Sequence, residues 1–298
     1  MKKRCMGLVG SLAFGICGSA GVSYAGTVVV TPSNMNGWTL QSFAGSAGYP
    51  PVSSGPYAGT AQLVSSPAPP LAAPYGSGSA HLATNAGYGS GAEAITTDNF
   101  DGAALSAITK LSYWAYMANN GPDNNQQFPY LALAVSTDGN PIAPDGSNFD
   151  TLFFEPPYQT PSAGNPDLPD QGATVLDEWQ CWNAQEGGWW DNDGIGNPGA
   201  PEGDNPGVIS LATYLETYPD ATIIDPGDNA PGFGGVTLQV GFADNTSVFD
   251  GNVDDFTFGT DAGSTTYAFE APEPASLGVL AIGGLGLLMK RKRKMVSV

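Results

Sequence analysis

Hydrophobic and polar positions along this chain alternate in short runs separated by turn residues, which predicts strands rather than helices. In Leu111–Met117 the residues Leu111, Tyr113, Ala115 and Met117 fall on one face and Ser112, Trp114 and Tyr116 on the other. Both faces are partly apolar, so the run belongs in the middle of a sheet. Tyr130–Val135 is apolar on both faces, the pattern of a strand buried between layers. Further strands are predicted at Thr27–Val30, Trp38–Phe43, Thr151–Glu155, Val175–Trp182, Val236–Phe242, Val253–Phe258 and Thr265–Phe269. With turns such as Asp138-Gly139-Asn140 and Asp145-Gly146 between runs, the total comes to roughly nine to eleven strands.

One helix interrupts the pattern. Ser210 can cap a short helix over Leu211–Tyr218, stopped by Pro219, with Leu211, Tyr214, Leu215 and Tyr218 on one face. Such a helix would plug one end of a sandwich. Residues 44–79, rich in Pro, Gly, Ser and Ala, have too little apolar density for a core and are expected to cross the surface as an extended loop. No repeat of 20 to 50 residues is visible, which argues against a solenoid or propeller. The expected fold is all-β, a jelly-roll-like β-sandwich over residues 26–270 with one short helix.

Both ends of the chain read as addresses. Lys2-Lys3-Arg4, the apolar run Met6–Cys17 and the small-residue exit Ser23-Tyr24-Ala25 predict a secretory signal over residues 1–25, cleaved after Ala25. Residues 271–298 hold Pro272-Glu273-Pro274, an uncharged stretch Ala275–Met289, and the basic cluster Lys290–Lys294. As a helix that stretch would span about 22 Å, short of a ~30 Å hydrocarbon core. It suits a transient single transmembrane anchor, and the five cations behind it would stay in the cytoplasm. Through these three parts the tail resembles the PEP-CTERM sorting domain of Gram-negative bacteria. The resemblance implies recognition and removal by an exosortase, with release of the body to the cell surface or exopolysaccharide.

Removing both ends changes the charge. Of nine Lys and Arg residues only Lys110 lies in the body, against 27 of the chain's 28 acids. So acidic a surface repels phosphates and excludes nucleic acid as a partner. It would be steadied by screening salt or by bound calcium. With Cys5 and Cys17 gone, Cys181 would have no partner for a disulfide.

From Gly76 to Glu270 the body also resembles an uncharacterised family of bacterial surface proteins carrying this tail. The likeness runs through Leu111-Ser112-Tyr113, Phe153–Gln159, Trp179 with Trp182, Trp189-Trp190, Pro219–Ile223 and Gly251–Phe256. Asn252–Phe258 is similar to the last strand of carbohydrate-binding jelly rolls, which implies that fold.

Candidate chemistry is sparse. Asp191, Asp193 and Glu202 occupy positions 1, 3 and 12 of a partial calcium loop, with Gly196 at its turn. Asp254 and Asp255, with Asp250, form a second carboxylate cluster suited to a structural Ca2+, although neighbours on a strand point to opposite faces. Trp182, Trp189 and Trp190 are candidates to stack on sugar rings, and adjacent Trp189 and Trp190 must send one ring each way. His81 is the only histidine, and no nucleophile, base and orienting group can be assembled on spacing. The expected function is therefore non-enzymatic: a surface or matrix protein with a structural or adhesive role, binding carbohydrate. The competing class is a matrix polysaccharide hydrolase using a carboxylate pair, Glu155 with Asp177 or Glu178.

Overall fold

The structure, a computed structural model, describes residues 24–45, 51–65, 73–74, 76–119, 127–191, 207–230, 232–243 and 246–271. The signal through residue 23 and the sorting tail from Pro272 lie outside the described residues. The body is a sandwich of two curled seven-stranded sheets. The first holds β1 (Tyr24–Val30), β3 (Thr60–Ser65), β4 (Gly78–Ala83), β6 (Ile108–Met117), β9 (Gln180–Asn183), β13 (Asp250–Thr260) and β14 (Gly263–Phe269). In the second are β2 (Trp38–Phe43), β5 (Ala92–Thr97), β7 (Tyr130–Ser136), β8 (Phe149–Phe154), β10 (Trp190–Asp191), β11 (Thr222–Ile223) and β12 (Val236–Gly241).

The first sheet turns on β13. One of its edges pairs with β6 along most of its length, while the other is divided between β4, opposite residues 250–253, and β14, opposite residues 256–260. A register shift between Asp254 and Thr257 marks the fork, and Asp255 there has φ 51°. The bulge lets one strand serve two partners. Asp254, fully buried at that point, accepts a hydrogen bond from the Phe269 N–H at 2.8 Å.

The second sheet runs β10-β8-β7-β12-β5-β2, with β11 beside the end of β7. Its inner face carries Ile95, Leu133, Val135, Leu152, Phe154 and Leu238, which pack in one core with Leu82, Leu111, Tyr113, Trp182 and Val253 of the first. Trp38 closes one end, its indole edge-on to Phe256, Tyr267 and Phe269 at 5.1–5.5 Å between centroids. Among the described residues α1 (Leu211–Thr217) is the one α-helix. Ser210 caps it by accepting from the Thr213 N–H, and Tyr214 pins it to β8 by donating its hydroxyl to Asp150 at 2.8 Å.

Four sequence readings are corrected. The expected loop over 44–79 contains β3, an edge strand that buries one residue deeply, Leu63, and so needs little apolar sequence. β4 and β5 also went unread, because small and polar residues, glycine, serine and alanine in β4 and alanine, glutamate and threonine in β5, fill most of their buried positions and hide the period. The strand predicted over Val175–Trp182 is confined to β9. Upstream, the Gln180 carboxamide takes the place of a partner strand, accepting from the Val175 N–H and donating to the Ala173 carbonyl, and Asp177 turns the chain at φ 60°. Finally, Cys181 on β9 is disulfide-bonded, where the sequence reading gives it no partner once Cys5 and Cys17 are removed.

Trp38 tests the packing. Its indole N–H has no hydrogen-bond partner among the described residues, so Trp38→Phe should lower stability far less than Trp38→Ala, for which about 3–5 kcal/mol is expected. Denaturant titration of the two variants checks this, and equal losses would contradict the aromatic account.

Candidate functional site

Strand register assembles a site that no single segment contains. On the outer face of the second sheet, successive pairings place Thr39, Thr96, Thr237, Ala132, Phe153 and Trp190 in one row across six strands. At roughly 4.8 Å per strand the row is about 24 Å long. Beside it runs a second row, Gln41, Ala94, Gln239 and Tyr130. The middle of this face is floored by small residues, Ala132, Ala134 and Gly241, and both ends rise in aromatic rings, which leaves a cleft of about 350 Å³. Such a volume suits a small ligand.

One wall is Trp190 stacked on Phe153 at 4.7 Å, with Tyr130 beside Phe153 at 6.4 Å. The other contains Phe233, stacked on Phe43 at 4.0 Å and backed by Phe242. Beyond Phe233 and Gly234 a hollow of about 260 Å³ continues over Thr39, Gln41 and Thr96 toward Asp98 and Asp225. Three residues that line the cleft carry polar atoms without partners: Gln239 Oε1, Gln127 Oε1 and Trp190 Nε1 are each buried and make no hydrogen bond among the described residues. Buried polar groups are ordinarily paired, so three such atoms around one cleft point to a ligand that completes them.

Glu155 is the one carboxyl among the described residues lining the cleft. Burial pushes it up to about 7. Its proposed partner Asp177 is elsewhere, accepting from the Tyr116 hydroxyl and the Asn119 N–H against β6 of the first sheet, and Glu178 is exposed beside it. The structure therefore does not bring the predicted carboxylate pair together.

Of the ligand-binding candidates, Trp190 faces the cleft. Trp182 and Trp189 are fully buried, with Trp189 donating to the Ala184 carbonyl at 2.9 Å, so neither offers a face to a sugar; alternation along the strand sends Trp189 inward and Trp190 outward. Tyr130, Phe153, Phe233 and Gln239 were missed because only cross-strand register joins them. Among the metal candidates, Asp193 and Glu202 lie outside the described residues, and Asp191 is buried on β10. Asp254 is committed to the Phe269 amide, Asp250 meets His81 Nε2 at 2.7 Å, and Asp255 sits on the bulge, raised to about 6 by burial and by Glu270. Among the described residues no three His, Cys, Asp or Glu side chains converge to hold a metal ion.

No family model, curated protein or solved structure matches the chain.

A second buried carboxyl gives a test of these electrostatics. Glu93 on β5 accepts from the Ser42 hydroxyl at 2.5 Å and the Gly59 N–H at 2.7 Å, yet desolvation outweighs both and raises it from 4.5 to about 7. Because the folded-state value exceeds the unfolded one, its contribution to stability is full below about 4.5 and is lost as pH rises through about 7. At about 1.4 kcal/mol per pH unit this amounts to about 3 kcal/mol, and Glu155 acts in the same direction. The melting temperature should therefore be higher at pH 5.5 than at pH 7.5, and Glu93→Gln should flatten much of that slope. A melting temperature that falls on acidification over this window would contradict it.

Proposed function

We propose that the protein is exported to the cell surface or exopolysaccharide matrix of a Gram-negative bacterium and binds polysaccharide there through the outer cleft of the second sheet, in a structural or adhesive role without catalysis. The observation that carries the reading is the cleft itself: aromatic walls of Trp190, Phe153 and Phe233, with Gln239 and Gln127 beside them carrying side-chain oxygens that lack partners among the described residues. Aromatic faces stack on the C–H faces of sugar rings, and hydroxyls complete side-chain hydrogen bonds, so the two features together fit a carbohydrate. The sandwich is of the jelly-roll-like kind in this reading. Address comes from the ends of the chain: a cleaved signal closing at Ala25, and the Pro272-Glu273-Pro274 tail inserted transiently in the membrane until an exosortase removes it.

Hydrolysis has weaker support. Glycosidases work with two carboxyl groups flanking the bond, and the cleft presents Glu155 with no second one among its described lining residues.

The adjacent tryptophans separate binding from packing. Trp190→Ala should abolish retention of the protein in polysaccharide affinity gels while costing about 1 kcal/mol of stability, or about 2–4 °C. Trp189→Ala should instead lose about 3–5 kcal/mol through the core. Undiminished retention of the Trp190 variant would refute the cleft as the binding site.

A further inference from the structure

We infer that the cleft selects an uncharged glycan over an acidic one and that Gln239 is the residue that sets this selectivity, accepting a hydrogen bond from a sugar hydroxyl through Oε1. The inference rests on the polysaccharide-binding reading and specifies its substrate class.

Gln239 stands at the centre of the second sheet, flanked in register by Ala94 on β5 and Tyr130 on β7. It lines the cleft and is 1% exposed, and its carboxamide oxygen has no partner among the described residues. A buried carbonyl oxygen left alone costs about 1–3 kcal/mol, so the site is poised for a donor. The Gln127 oxygen asks for a second donor, and the Trp190 N–H for an acceptor. A neutral sugar carries all of these on adjacent hydroxyls, and its ring faces match Trp190, Phe153 and Phe233.

Charge decides against the acidic sugars. Lys110 and His81 are the basic side chains of the body, and both lie on the first sheet, opposite Gly259 and Asn252. A uronate or sulfate entering the cleft would find acceptor oxygens and the Glu155 carboxyl, with no cation to offset its desolvation. A ligand rich in hydroxyls and free of charge meets neither obstacle.

The test is calorimetric titration of the full chain with neutral hexasaccharides (glucan, mannan and galactan) and anionic ones (galacturonan and a sulfated galactan), repeated on Gln239→Leu. At least one neutral chain should bind tenfold or more tightly than either charged chain. Gln239→Leu should weaken that binding tenfold or more with the melting temperature unchanged or raised, since the variant removes an unpaired buried oxygen; a role in holding the fold would lower it. Gln239→Met serves as a second variant of similar length. Preference for a charged chain, undiminished binding by the variants, or unfolding of both would overturn the inference while leaving polysaccharide binding in place. Failure of the wild type to bind any of the five would overturn the proposed function and this inference with it.

Discussion

The apolar contact between the two sheets has to hold this molecule together, because charge cannot. With 27 acids and Lys110 as the sole Lys or Arg between the signal and the tail, ion pairs are not available in number, and His81 with Asp250 is the one pair within reach among the described residues. Repulsion among so many carboxylates works against the compact state. What opposes it is a continuous core running from Trp38 and Phe269 at one end to Tyr214 and Trp189 near the helix.

That constraint also shapes how the interior acids are handled. Three are met by neutral donors: Asp150 by the Tyr214 hydroxyl and the Thr151 N–H, Asp254 by the Phe269 N–H, Glu93 by Ser42 and the Gly59 N–H. These bonds tie distant segments, β8 to the helix and β13 to the end of β14, so the carboxylates act as fasteners in place of salt bridges. The cleft follows from the same economy of material. Strands β7, β12 and β5 are buried on both faces, and where their outer positions are alanine, threonine or glycine the sheet sinks between its aromatic ends.

Much of the fold was legible wherever side chains were large. Trp38–Phe43 is read from sequence to the residue, and the helix is read with its serine cap, since period and cap residue are local signals. β7 announces its burial on both faces through an unbroken apolar run. Strands β4 and β5 were opaque because Ala80, Ala92 and Ala94 gain their burial from neighbours, not from their own size. In the site, Trp190 was visible as one of an adjacent pair of tryptophans. Phe153, Gln239, Tyr130 and Phe233 were not, because they come from separate segments and meet only through the antiparallel register of β8, β7 and β12 and the loop before β12.

The central claim is that ligand enters the cleft of the second sheet and touches the indole of Trp190. It is tested most directly by indole N–H resonances of the six tryptophans, recorded while a neutral polysaccharide fragment is titrated into the protein. The account predicts that the Trp190 resonance, assigned through Trp190→Phe, shifts with saturation while those of the core residues Trp182 and Trp189 hold their positions. Movement confined to Trp114 or Trp179, on the first sheet and beside it, or no movement at Trp190 at saturating ligand, would contradict the account.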